Sequence, residues 1–405
     1  MHPSAHARLA RSSRPRCKSP AVQFPARGPG TLPAERPGGT RAGFARSTWM
    51  RPREIPFHPA APWIGGILQT LRALRWPSTA ALPPGERLWL PLPDGDALAA
   101  MLHLPPGSPR RPPAMLVHGL TGTEDDPYLR EAAAGLLRRG FPVLRLNLRG
   151  SAPSRPRSSS HYHLGRAQDL ADVLRALPQA LTANGVMVAG WSLGGALVIE
   201  LLARHPAAPG MPRLLAGATV CPPLQPELAH AAIDARPLLG RALLALYRQE
   251  VLAVAASDLP EPLRAAARAA RSLTEFEATV TAPRFGYPSY AVFTEVNRPA
   301  AALPRLRIPT LLLMAADDPL VPPASLEGVA WDDCPAVLPL LASGGGHCGF
   351  YDGGRESLAV RALGAFFAGV ADQARQTESA SAAASQGEGS SPSSHAQQAA
   401  RTAAA

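Results

Sequence analysis

The sequence predicts an α/β protein with a mostly parallel sheet, helices on both faces and a helical insertion over one end. Three observations carry this reading. From about residue 88 to residue 367, apolar runs of strand length alternate with segments of helical period, as parallel strands and their crossovers require. One interval, 222–304, breaks the rhythm and is rich in Ala, Leu and Arg. Apolar residues make up 46% of the chain against 18% charged, enough to cover a sheet on both sides.

The elements follow in chain order. Leu88–Leu92 and Ala97–Leu104 flank Pro93-Asp94-Gly95-Asp96, a turn signal, and read as a hairpin. Ala114–Val117, Phe141–Leu146, Gly185–Ala189, Leu214–Val220, Thr310–Met314 and Ala336–Leu341 read as buried strands. Leu129–Arg139, Ala167–Leu177, Gly194–Arg204 and Ser357–Phe367 read as helices. Residues 54–370 are expected to form the folded body, with 222–304 as a cap. Residues 1–53 and 371–405 lack such periodicity and are expected to be disordered tails. Met50, just ahead of the first recognisable pattern, is a candidate alternative start.

Charge and composition narrow the function classes. Of the formal +11, the first 53 residues hold eleven Lys or Arg against one acid, which leaves the other 352 residues near +1. The basicity belongs to a tail without interleaved aromatics, so no nucleic-acid partner is expected. Lys18 is the only lysine, which excludes P-loop and Schiff-base chemistry in the body. The four cysteines are far apart in sequence and show no metal-ligand spacing, so no metal and no cofactor are expected. No apolar stretch reaches the ~18–20 residues of a membrane span, and no signal-peptide pattern is visible; the expected location is cytoplasmic.

The sharpest motif is Gly190-Trp191-Ser192-Leu193-Gly194-Gly195, between an apolar strand and a helix. A G-x-S-x-G turn of this kind is a nucleophile elbow: glycines two before and two after make room for a strained serine at the sheet's carboxyl edge. A serine hydroxyl needs a base, and the base needs an orienting carboxylate, in the chain order Ser, acid, His. Asp317 and Asp318 follow strand 310–314 and are both placed to be that acid. His347 follows the last strand within Gly344-Gly345-Gly346-His347-Cys348-Gly349 and is the candidate base. His161, His163 and His230 precede the acid and are weaker candidates; Cys348 reads as packing. Leu193 N–H, directly after the serine, and Leu120 N–H, in His118-Gly119-Leu120-Thr121-Gly122, are the expected oxyanion donors, with His118 fixing that loop. Leu243, Leu246 and Tyr247 of the insertion are expected to line an acyl pocket.

Together these groups resemble the α/β-hydrolase superfamily. Further motifs resemble its AB hydrolase 4 family, the YheT-like hydrolases: Leu68-Gln69-Thr70, Pro127-Tyr128, Asn147-Leu148-Arg149-Gly150, Tyr162-His163-Leu164-Gly165 before Asp169, and Phe276-Glu277-Ala278-Thr279-Val280-Thr281-Ala282. The resemblance spans about 56–371. It implies an α/β-hydrolase fold and carboxylic-ester hydrolysis, on short-chain esters or acylglycerols. By its D-x-x-V-P pattern it selects Asp318 as the triad acid, with Asp317 as the alternative. The chain departs from the family at Thr121, at Cys348 and at Arg166-Ala167. The rival readings are an acyltransferase with the same triad and a non-catalytic binding protein on the same fold.

Overall fold

In a computed structural model the described residues are 52–388, without 77, 79, 108–110, 206–207 and 255–258, and without the side chains of 378 and 380–388. Nine strands form one sheet: β1 (Arg53–Ile55), β2 (Gly85–Pro91), β3 (Ala97–His103), β4 (Ala114–Val117), β5 (Val143–Leu146), β6 (Val186–Trp191), β7 (Leu214–Val220), β8 (Thr310–Ala315) and β9 (Val337–Ala342). Their spatial order is β1-β9-β8-β7-β6-β4-β5-β3-β2. The hairpin β2/β3 and the pair β3/β5 are antiparallel; every other pairing is parallel.

Side-chain alternation explains why the central strands read as continuous apolar runs. Val186 and Val188 face one hydrophobic cluster while Met187 and Ala189 face another. On β8, Leu312 and Met314 join the first cluster and Leu311 and Leu313 the second. A strand buried on both faces has no polar position to alternate with. The helices that cover the faces are α1 (Gly66–Arg75), α2 (Pro127–Arg138), α3 (Ala167–Ala176), the short α4 (Gln179–Thr182) and α5 (Leu193–Arg204). Between β7 and β8 come α6 (Pro226–Asp234), α7 (Pro237–Val254), α8 (Glu261–Ala269), α9 (Leu273–Phe276), a π-helical turn (Glu277–Thr281), α10 (Ala282–Arg284) and α11 (Tyr290–Val296). The interval expected to break the rhythm is therefore helical.

Two boundaries differ from expectation. The last helix, α12 (Leu358–Glu388), continues past the tail boundary expected at 371. Its later residues, 372–388, are rich in Ala, Gln, Glu and Arg, which favour helix, mixed with Ser, Thr and Gly and without any apolar stripe. Residues 1–51 and 389–405, expected as tails, lie outside the described residues. At the other end, β1 pairs in parallel with β9, and α1 follows it; neither was anticipated. No helix among the described residues is long and apolar enough to cross a membrane.

Candidate active site

Ser192 sits between β6 and α5 with φ 53° and ψ −124°, a left-handed backbone that a non-glycine residue adopts only under constraint. The constraint is close packing around the turn. A Cβ on Gly190 would lie 2.2 Å from the Gly194 carbonyl oxygen, and one on Gly194 would lie 2.4 Å from the carbonyl oxygen of His118. Both positions need glycine because backbone meets backbone there. The serine caps α5, so the helix's positive end points at its surroundings.

The two aspartates after β8 face different ways. Asp318 places Oδ2 at 2.8 Å from Nδ1 of His347, while its Oδ1 accepts from the N–H groups of Leu320 and Val321 at 2.8 and 2.9 Å. Asp317 instead accepts from Gly346 N–H at 2.8 Å. The structure thus brings Asp318 to the histidine ring and Asp317 to the histidine's loop. Burial works against a charged imidazole at His347, but the Asp318 carboxylate and Cys221 outweigh it and raise its pKa.

Helix α1 holds the histidine loop. The Thr70 hydroxyl accepts from His347 N–H at 2.8 Å and donates to Gly66 O at 2.7 Å. The Gln69 amide donates to the carbonyls of Trp63 and Tyr351 and accepts from Tyr351 N–H. The glycines around His347 serve this contact. A Cβ on Gly346 would lie 2.2 Å from Gly66 O, and one on Gly349 would lie 2.6 Å from Gln69 O. Sequence reasoning singled out Leu68-Gln69-Thr70 without finding this clamp, because two polar residues ahead of the β2/β3 hairpin carry no local signal for a partner near residue 347.

The expected oxyanion loop follows β4. Gly119 N–H donates to the Tyr128 hydroxyl at 3.1 Å, and Thr121 N–H to the Tyr162 hydroxyl at 2.7 Å. Tyr162 in turn donates to Glu250 at 2.6 Å. Leu120 N–H, between them, and Leu193 N–H have no hydrogen-bond partner among the described residues. His118 is buried and holds the loop. Its Nε2 accepts from Leu148 N–H at 3.0 Å, and burial lowers its pKa to about 4.

Ser192, Leu193, Gly119, Leu120 and His347 line one cavity, whose remaining walls are mostly apolar side chains from α1, the insertion and the loop after β8. Of the three insertion residues expected in it, Leu243 is present. Tyr247 is not: it points inward, its ring packed on Tyr162, His161 and Phe276. Leu246 also lies off the cavity. Residues 243 and 247 share one face of α7 a turn apart, so position along the helix separates them: Leu243 reaches the cavity and Tyr247, one turn further on, lies in the core. His163 stacks on Phe285, His161 meets it edge-on, and both stay off the cavity, whereas His230 lines it and meets the Tyr290 hydroxyl at 2.9 Å. Glu277, from the π-helical turn, also lines it; burial pushes its carboxyl up to about 7, and its Oε2 has no hydrogen-bond partner among the described residues.

Away from the cavity, the Asn147–Arg149 and Asp169 motifs build a buried polar core. Arg149 grips both oxygens of Asp169 at 2.8 and 2.9 Å and also contacts Asp94 and Asp96. Asn147 ties Glu124 and Ala99 together beneath the loop after β4.

Residues 112–354 match the family model described as the alpha/beta hydrolase fold. The chain is 30% identical over 279 residues to a putative esterase, YheT, of Escherichia coli, covering 65% of this chain and 78% of that one. It is 25% identical over 287 residues to medium-chain fatty acid ethyl ester synthase/esterase 2 of Saccharomyces cerevisiae, covering 63% of this chain. The aligned region spans 62% of that yeast relative, less than two thirds of its length. A solved esterase of Pyrococcus furiosus aligns over 71% of this chain and 91% of its own, with 15% identity and a TM-score of 0.46.

Proposed function

This chain belongs to the alpha/beta hydrolase fold family, on its YheT-like side, and from that premise we propose that it is a serine hydrolase of carboxylic esters. The observation that carries the reading is the 2.8 Å contact between Asp318 and His347 beside a strained Ser192 in the same cavity. Ser192 Oγ attacks the ester carbonyl as His347 Nε2 takes its proton. Asp318 holds the opposite ring nitrogen, which fixes the tautomer and offsets the positive charge that develops on the imidazole. The N–H groups of Leu193 and Leu120 receive the oxyanion, since no group among the described residues occupies them. The tetrahedral intermediate collapses, His347 protonates the leaving alcohol, and water enters by the same route in reverse to release the acid. None of these steps uses a metal or an organic cofactor. The apolar walls favour an acyl group over a charged one.

A second reading replaces the water with an alcohol, so that the acyl group is transferred instead of hydrolysed. It is favoured by the printed name of the yeast relative, which combines synthase with esterase. The test is a fluorophosphonate probe on the intact chain, Ser192→Ala and His347→Ala, followed by an ester panel of rising chain length with and without ethanol. We expect labelling in the intact chain and none in either variant. Equal labelling of Ser192→Ala would overturn the nucleophile. Ethyl ester formed at the expense of free acid would establish the transfer reading.

A further inference from the structure

Two thiols that catalysis does not use stand beside the histidine that it does. Cys221 follows β7 and Cys348 follows His347, and nothing in their sequence spacing relates them. The fold lays the carboxyl end of β7 against the histidine loop. The two sulfur atoms and a ring nitrogen of His347 then lie within 4.8 Å of one another, with all three residues buried. Among the described residues this is the one cluster of three such groups. Both cysteines have left-handed backbones, φ 49° and 66°, so the turns themselves direct the side chains inward. Besides the interactions of the two thiols with each other and of Cys221 with His347, Cys221 makes a long contact to Gly346 O at 3.8 Å and Cys348 one to Val220 O at 4.0 Å.

We propose that Cys221, Cys348 and His347 form an inhibitory binding site for a thiophilic divalent cation, zinc first among them. Two thiolates and an imidazole are a soft donor set that selects zinc-like ions over magnesium or calcium. Asp318 holds Nδ1, so the nitrogen presented to a metal is Nε2. A carboxylate behind a ligating histidine is the usual outer support of a zinc site, and here it is already in place. Tetrahedral zinc spaces such donors roughly 3.5–3.8 Å apart, so the cluster needs to close by about an ångström at most. Each thiol gives its proton to solvent as its sulfur binds, and the two thiolates neutralise the metal's charge in a buried setting. A metal on Nε2 removes the nitrogen that would take the Ser192 proton. The inhibitory half of the proposal thus rests on the catalytic reading above, and the binding half does not.

The test keeps the two halves apart. The full chain, stripped with chelator, is titrated with cadmium and followed by the ultraviolet thiolate-to-cadmium charge-transfer band; zinc affinity is read by competition with a chromophoric chelator. One equivalent should bind, and ester hydrolysis should fall with the same midpoint and return on adding chelator. Cys348→Val and Cys221→Ser should each weaken binding at least about tenfold, and Asp318→Asn by roughly 10–100-fold. Should Cys221→Ser fail to fold, Cys348→Val decides alone. Ser192→Ala, which keeps all three ligands, should bind like the intact chain. An unchanged band in Cys348→Val, or none in the intact chain, overturns the site. Binding without inhibition in an active enzyme overturns the inhibitory role while leaving the site standing.

Discussion

Asp318 divides its carboxylate between two tasks: Oδ2 faces the ring of His347, and Oδ1 is fixed by the N–H groups of Leu320 and Val321. The acid is thus held by its own loop and aims a single oxygen at the imidazole. The raised pKa of His347 then sets the pH profile. A general base acts when neutral, so kcat/KM should rise with pH through an apparent pKa above the ordinary 6.5. Asp318→Asn should lower kcat by roughly four orders of magnitude and shift the remaining limb to lower pH. Asp317→Asn should cost at most about tenfold, because its amide oxygen can still accept from Gly346 N–H and only the charge is lost. The reverse ranking would assign the acid to Asp317.

Glu277 predicts a stability change that depends on pH. Its carboxyl holds its proton up to about 7 in the folded chain and releases it near 4.5 in the unfolded one. Folding therefore binds a proton between those values, and stability falls as pH rises through the window. Glu277→Gln removes that slope. Urea denaturation should find the variant equal to the intact chain near pH 4.5 and more stable at pH 8, by up to about 3 kcal/mol. A variant less stable at pH 8 would show that the carboxylate has a partner.

Arg149 predicts a loss. Its guanidinium is buried against Asp96 and Asp169 and raised in pKa by them in spite of burial. Arg149→Met leaves Asp169 buried with only the 3.8 Å ion pair to Arg166 and Asp96 with only its bonds from Ser159, and should cost about 3 kcal/mol in equilibrium unfolding. A change under about 1 kcal/mol would mean that water reaches the two acids and screens them.

Thr70 predicts a defect in turnover at a residue remote in sequence from the serine. Thr70→Val keeps the volume and leaves His347 N–H without its acceptor. A bond of this kind is worth about 1–3 kcal/mol when its partner stays buried. Because the loop carries the proposed base, kcat should drop about tenfold or more with KM little changed, and Thr70→Ser should restore it. An unaltered kcat in Thr70→Val would make the clamp dispensable.

The sequence made the central strands and the order of the site legible because both are local patterns. Leu214–Val220 matches β7 end to end, and Ser192, Asp318 and His347 each follow a strand that could be read directly. What escaped is governed by tertiary contact. Helix α1 buries Gln69, Thr70 and Ala73 and leaves Ile67 58% exposed and Leu68 40% exposed, the reverse of what an apolar stripe announces. β1 is three residues, two of them charged, and exists because β9 offers an edge. The Cys221–Cys348 pairing likewise depends on two distant loops meeting at the sheet's carboxyl edge. The D-x-x-V-P resemblance singled out Asp318 over its neighbour, but the direction of each side chain, Asp318 toward the His347 ring and Asp317 toward Gly346 N–H, is not contained in a pattern of residue types.

The clamp of α1 on the histidine loop also decides where the molecule can be divided. The stretch shared with the wider family begins at residue 112, yet His347 hangs from Thr70, and the far side of the sheet is closed by Leu363 and Phe367 of α12. A fragment cut to the shared stretch would keep the serine, aspartate and histidine motifs but lose Leu68-Gln69-Thr70 and with it the support of the proposed base. The portable unit, the piece that could be transplanted or recombined with its chemistry intact, runs from β1 into α12.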